Sequence, residues 1–249
     1  VLSGRLADPD DISVGEPVAE RREYLSTQFG IRTDADNLRT TQESDLIVFA
    51  VKPQDLSSVM RQMNGSLTST QAALSIVAGA KMDTLSKGLD HRSVVRVMPN
   101  TPAQVGAGMT LWTCSEGVDT SMREMTKSVL ETIGQEIYVS DEKYMDMATA
   151  LSASGPAYVF LFIEALVDAG VYVGMPRDMA RTLALQTVFG STKLVIESGL
   201  HPVELKDMVV SPAGTTAEAL RVLEDEGVPA AIVSAVDAAY KKSIQLGNG

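Results

Sequence analysis

The sequence predicts an α/β fold: a doubly wound parallel sheet, lacking its first strand and glycine loop in this chain, followed by an all-α half. Three observations predict it. From Ile12 to Val139, short apolar runs alternate with amphipathic stretches, the pattern of a parallel sheet with helices on both faces. After Ser140 no strand pattern is convincing. Hydrophobic residues make up 45% of the chain and aromatics only 5%, a balance that favours helices and buried parallel strands over a β-sandwich.

The elements follow in order. Ile12–Val14 is a short strand, and Val18, Leu25 and Phe29 mark one face of a helix closed by Gly30. Leu46–Val51 is a continuous apolar run, expected to be a strand buried on both faces. Pro53 stops it, and Leu56, Val59, Met60 and Met63 follow at helical spacing. Ala73–Val77 is the next strand, then a helix through Met82, Leu85 and Leu89, then a strand at Val94, Val95 and Val97. Met109–Trp112 is a strand candidate. Met122, Met125, Val129 and Ile133 form a helical stripe with Gly134 at its expected C-terminus, and Ile137–Val139 is a last short strand. In the second half, Pro156–Ala169 is apolar almost all round and should be buried, with Glu164 and Asp168 its only charges. Met179, Ala180, Leu183, Ala184 and Thr187 stripe the next helix, where Gly190 and Ser191 allow close helix approach. His201-Pro202 opens a short segment, and Ile232, Val236, Ala239 and Leu246 stripe the final helix. The expected domains are 1–140, sheet-bearing and N-terminally incomplete, and 141–249, helical. About five helices with little polar surface between them point to a dimer built from this half, with a self-contained bundle as the alternative.

The formal net charge of -11 repels phosphate backbones, so no nucleic-acid partner is expected. Cys114 is the only cysteine, which excludes an intrachain disulfide and a cysteine metal cluster and fits a reducing compartment. It reads as a small buried hydrophobe. His91 and His201 sit in no triad motif, and no metal-ligand spacing is present. No signal peptide is visible. The most apolar run, Tyr158–Ile163, is too short to span a bilayer. A cytoplasmic protein with no membrane partner is expected.

Ser211-Pro212-Ala213-Gly214-Thr215-Thr216 is the most informative stretch. Thr215 and Glu218 are spaced as a capping box, so a helix starts here. Its free amides and two hydroxyls suit a carboxylate, although an ordinary capped helix gives the same pattern. Hydride transfer asks little of the protein beyond position and electrostatics, and a doubly wound sheet is its usual host. The expected G-x-G-x-x-G loop is absent: Gly106-Ala107-Gly108 has Leu111 at the third position, and Gly247-Asn248-Gly249 is only the chain end. Ile12–Val14 therefore reads as the second strand of such a fold, with roughly one strand and one glycine loop expected upstream of Val1. Glu16 then sits where an acid binds the adenine ribose of NAD, while Arg21 and Arg22 are near enough to serve a 2′-phosphate. All three are equally readable as surface residues.

Six segments together resemble the pyrroline-5-carboxylate reductase family. They are Ala50-Val51-Lys52-Pro53-Gln54; Val77-Ala78-Gly79; Arg96-Val97-Met98-Pro99-Asn100-Thr101-Pro102; Ser154-Gly155-Pro156-Ala157-Tyr158; His201-Pro202 with Leu205-Lys206-Asp207; and Ser211 to Thr216. The resemblance runs from about Asp10 to Gly247. It implies a Rossmann-type domain, a helical dimerisation domain, and reduction of Δ1-pyrroline-5-carboxylate to L-proline by NADPH or NADH, the last step of proline biosynthesis. It implies intertwined homodimers, often assembled into decamers. It places Asn37 near the adenosine ribose, and Ala50, Val51, Lys52, Pro53, Ala78, Gly79 and Asn100 along the cofactor cleft. Ser211, Pro212, Ala213, Gly214, Thr215 and Thr216 are implied to hold the substrate carboxylate and to complete the partner subunit's site. Thr216 is implied to be the catalytic hydroxyl, hydrogen-bonding the ring nitrogen. The sequence departs from the family where Ala153 and Ala213 stand in place of a common glycine. Two rival readings remain: a catalytically silent nucleotide-binding or oligomeric scaffold, motivated by the absent loop, and a related cyclic imine reductase, motivated by Ala213.

Overall fold

The computed structural model describes residues 1–2 and 4–247; Ser3, and Asn248 and Gly249, read above as the chain end, lie outside the described residues. Contacts divide the chain into two compact units, one comprising Val1–Ser154 with the residues from Ala239 onward, the other Gly155–Ala238.

The first unit carries the sheets. Strands β1 (Ser13–Gly15) and β2 (Arg32–Asp34) pair in parallel around helix α1 (Ala19–Phe29). Gly30 ends α1 in the left-handed conformation, φ 70°, as its position predicted. Helix α2 (Asn37–Thr41) follows, with the Asp36 carboxylate accepting from Leu38 N–H as its N-cap. Both β2 and α2 escaped the sequence reading. A second sheet has the order β3 (Leu46–Phe49), β4 (Ala72–Ser75), β5 (Val94–Met98), β6 (Gly108–Cys114), β7 (Gly134–Tyr138). Helices α3 (Pro53–Met63), α4 (Met82–Leu89) and α5 (Thr120–Glu131) connect its members.

The expected all-parallel sheet is in fact mixed and divided in two. Strands β3, β4 and β5 are parallel, whereas β6 runs antiparallel to β5 and parallel to β7. The link Pro99–Ala107 is too short for the crossover that a parallel neighbour needs, so β6 must fold back. Gly134, expected to end α5, instead opens β7; α5 stops at Glu131 with Thr132 as its C-cap.

Both faces of the larger sheet are covered. Ile47, Phe49, Ala73 and Val94 pack with Leu56, Met60 and Met63 of α3 and Leu85 and Leu89 of α4. On the other face Leu74, Val95, Val97 and Trp112 pack with Met122 and Leu130 of α5. β3 is the edge strand, so only one of its faces is closed: Ile47 and Phe49 are buried, but Val48 is 50% exposed. The expectation of burial on both faces fails there.

The second unit is helical: α7 (Gly155–Tyr172), α8 (Arg177–Ser198), α9 (Pro202–Val209), α10 (Thr215–Asp225) and most of α11 (Val228–Leu246), whose last turns belong to the first unit. Helix α6 (Lys143–Ala148) and a π-helical turn, Thr149–Ala153, precede α7. Helices α7 and α8 pair through Val167, Ala180 and Ala184. The close approach is at Gly170, where a Cβ would meet the Ala180 methyl at 2.8 Å; at Gly190, the predicted contact, the nearest group is Gln186 Nε2 at 4.0 Å. Contrary to expectation, α7 is not buried within one chain. Phe160 and Leu161 are 58% and 67% exposed, because only one stripe of α7 meets α8. The continuous helical run Lys143–Tyr172 is also long and apolar enough to cross a membrane, with mean hydropathy 1.6 over its most apolar window, although its longest uninterrupted apolar run is short.

Candidate active site

Three groups of predicted residues can be followed in the structure. The first stands on adjacent strand ends. Ala50–Pro53 leave the C-terminal end of β3, Ala78 and Gly79 leave β4, and Asn100 leaves β5. Phe49 pairs with Ser75 and Ser75 with Arg96, so these three ends form one edge, the place where doubly wound sheets bind ligands. Lys52 is the extended N-cap of α3 and Pro53 its first residue, where proline's fixed φ suits a helix start. Gly79 has φ 79°, a conformation that side-chain-bearing residues disfavour; it is half-buried, and Ala78 beside it is exposed. The Asn100 side chain is pinned. Its Oδ1 accepts from Met109 N–H at 2.8 Å, and its Nδ2 donates to the Ser152 carbonyl at 3.3 Å and hydroxyl at 3.4 Å. Ser152 lies in the π-helical turn, a geometry often found at functional sites.

The second group lies at the ends of β1 and β2. Glu16 N–H donates to the Asp34 carbonyl at 2.9 Å, and its carboxylate accepts from Val18 N–H at 2.9 Å. Arg22 donates to the carbonyls of Glu16 and Pro17 at 2.7 and 2.8 Å, so a guanidinium stands beside the Glu16 turn. Arg21 instead stacks over the Tyr24 ring at 4.9 Å. Asn37 Oδ1 occupies the space that a Cβ on Gly15 would need, which brings Asn37 against the end of β1; its Nδ2 donates to Gln62 at 2.9 Å. The Asp36 backbone N–H on Asp34 Oδ1, at 2.9 Å, holds the Asp34 carboxyl below the usual carboxylate range, with Arg39 adding to the effect.

The third group, Ser211–Thr216, lies in the second unit at the start of α10. Gly214 N–H donates to the Ser211 carbonyl at 3.0 Å, closing a turn. Pro212 takes its second position, and Ala213 its third with φ 57°, where such turns favour glycine. Gly214 has no room for a Cβ beside Ser211 Oγ. The predicted capping box does not form. Gly214, not Thr215, is the N-cap, so the helix begins one residue too early for it, and Glu218 binds Arg221 at 3.3 Å. The first amides of α10 therefore keep no side-chain cap, and they point out of the helix start beside two threonine hydroxyls.

The histidines are structural: His91 Nε2 meets the Gln71 carbonyl at 2.8 Å in the core, and His201 Nδ1 caps α9 by accepting from Val203 N–H at 3.3 Å. A buried ion cluster under the first group escaped the sequence reading. Arg96, 1% exposed, pairs with Glu142 at 2.8 Å and stands 3.5 Å from Asp146, close enough for charge but not aligned as a hydrogen bond. Its signal was a lone cation inside the apolar run Val94–Met98.

Residues 142–246 match the family model described as "Pyrroline-5-carboxylate reductase dimerisation", and residues 1–79 match "NADP oxidoreductase coenzyme F420-dependent". The chain is 42% identical over 247 residues to a pyrroline-5-carboxylate reductase of Synechocystis, covering 99% of this chain and 92% of that protein. It is 41% identical to the Escherichia coli pyrroline-5-carboxylate reductase, covering 99% and 93%. The crystal structure of Plasmodium falciparum pyrroline carboxylate reductase with NADP bound superposes with TM-score 0.90 at 32% identity, covering 99% of this chain and 91% of that one.

Proposed function

The chain belongs to the pyrroline-5-carboxylate reductase family, and we infer from that membership that it reduces the imine of Δ1-pyrroline-5-carboxylate to L-proline with NADPH or NADH. One structural observation carries the reading: Ala50–Pro53, Ala78–Gly79 and Asn100 share one edge on three adjacent parallel strands. That edge fits a dinucleotide: it is the C-terminal edge of parallel strands, where such ligands bind, and Ala78 is exposed on it. When bound, the nicotinamide supplies the hydride that C5 of the substrate ring receives.

The remaining work falls to the chain's own residues. The uncapped amides at Thr215 and Thr216 hold the substrate carboxylate, favoured by the positive end of the helix dipole. The turn Ser211–Gly214 sets the angle at which those amides are presented. The Thr216 hydroxyl hydrogen-bonds the ring nitrogen, orients it and assists its protonation. C5 gains a hydride and the nitrogen ends as an amine, so an iminium that arrives protonated needs no stronger acid. Glu16 and Asn37 take the adenosine ribose, with Arg22 beside them for a 2′-phosphate. Thr216→Ala is expected to lower kcat about a hundredfold and leave cofactor Kd within about twofold; an unchanged kcat removes the role.

The chain self-associates through its dimerisation segment, 142–246. We further propose the functional division 1–140 and 141–249, a homodimer in which Ser211–Thr216 complete the partner subunit's site, further assembly to a decamer, and a cytoplasmic location. The exposed Phe160 and Leu161 support a protein partner, since the helical run 143–172 lies within the dimerisation segment.

A further inference from the structure

The β4–α4 loop, Ile76–Lys81, carries two of the proposed cofactor residues, and the structure anchors it from a direction the sequence did not suggest. Glu142 Oε1 accepts from Arg96 Nη1 at 2.8 Å and from Met82 N–H at 2.9 Å. One carboxylate thus joins buried Arg96 to the first residue of α4, directly after the loop. Asp146, one turn along α6, stands 3.5 Å from Arg96 and accepts from the Ser243 hydroxyl at 2.8 Å. Ser243 is 4% exposed and lies on the last turns of α11. Those turns end against the loop itself. A Cβ at Gly79 would meet the Leu246 carbonyl oxygen at 3.2 Å, and one at Gly247 would meet Lys81 Cε at 3.0 Å. The loop is therefore held after its end by Glu142 and braced at its middle by α11, and Arg96 ties both supports to β5.

We propose that Arg96, Glu142, Asp146 and Ser243 are positioning residues for the cofactor loop, with the end of α11 acting as its backstop. The proposal rests on the reading that Ala78 and Gly79 line the cofactor cleft. None of the four touches the reacting atoms. Their effect is on where the Ala78 and Gly79 backbone stands, and small displacements of a binding backbone are costly.

The test measures Kd for NADPH by fluorescence titration, together with kcat, KM for the imine and Tm, on the full-length protein. Ser243→Ala removes the bond to Asp146. It is expected to raise Kd for NADPH about tenfold, with kcat at saturating cofactor and KM for the imine each within about twofold. Ser243→Thr, which keeps a hydroxyl, is expected to restore most of the affinity. Glu142→Gln, which keeps an acceptor for Met82 but not the charge facing Arg96, reads the other arm. Ala78→Leu, at the exposed position of the same loop, tests the underlying reading: if it leaves cofactor Kd unchanged, the cleft assignment fails. If Ala78→Leu weakens the cofactor while folded Ser243→Ala and Glu142→Gln do not, the backstop is overturned and the cleft stands. Loss of fold in both variants, with wild-type Kd in whatever folded fraction remains, also overturns it.

Discussion

Replacing Arg96 by Met should destabilise the protein more than any single surface change. Arg96 is 1% exposed and faces two carboxylates, at 2.8 and 3.5 Å, whose side chains are 28% (Glu142) and 15% (Asp146) exposed. Removing one partner of a buried pair typically costs about 3–5 kcal/mol, because the other charge is left without compensation. Both carboxylates here retain some water, which favours the low end, so about 3 kcal/mol is expected. At about 2–4 °C per kcal/mol for a domain of this size, Tm should fall by about 6–12 °C. The assay is thermal unfolding followed by circular dichroism at one fixed protomer concentration, since self-association makes Tm concentration-dependent. The double variant Arg96→Met with Asp146→Asn should lose less than the sum of the two singles, by at least about 1 kcal/mol, because one of the two stranded charges is then gone. A Tm within about 2 °C of wild type, or strict additivity, would refute the view of Arg96 as the counter-charge of this cluster.

Three further outcomes are expected. Glu16→Ala should raise the ratio of NADPH to NADH efficiency, because Arg22 then faces a 2′-phosphate without an acid beside it; an unaltered ratio, read from kcat/KM with each cofactor, places Glu16 away from the ribose. Ala213→Gly should relieve the strain of φ 57°, worth about 1–2 kcal/mol, against an unfolded-state entropy cost of about 0.4–1 kcal/mol; a net gain up to about 1.6 kcal/mol in urea unfolding is expected, and a clear loss contradicts the left-handed assignment. The Asp36 amide resonance should titrate with a midpoint below that of an ordinary aspartate, since its N–H stabilises ionised Asp34. The Asp34 contribution to the β2–α2 turn is present above the ordinary aspartate pKa and is lost as pH falls through the lowered one; a midpoint at or above the ordinary value contradicts the bond.

What the sequence showed depended on how locally each feature is encoded. The turn at Gly30 and the stripe Leu56, Met60, Met63 are short-range patterns, and each appears where the residues put it; the strand expected to run to Val51 ends at Phe49, and Pro53 opens α3 instead. Strand direction is not local: only the length of Pro99–Ala107 hinted that β6 must turn back. β2 and α2 were missed because Arg32–Asp34 and Asn37–Thr41 are short and polar, with no apolar period to detect. The capping box failed by one residue, since Thr215 could serve equally as N-cap or first helical residue until the backbone chose Gly214. The residues proposed for the cofactor stand together on strand ends, a placement that follows from their motifs, whereas the place of Ser243 was not legible. Nothing near Ser243 in sequence marks it, and its partner Asp146 lies 97 residues away.

The most direct measurement is the initial rate of NADPH and of NADH oxidation by the full-length protein with Δ1-pyrroline-5-carboxylate. Rapid oxidation that depends on the imine is expected with at least one cofactor, with formation of L-proline in equal amount. A folded, self-associated protein that oxidises neither cofactor in the presence of the imine contradicts it.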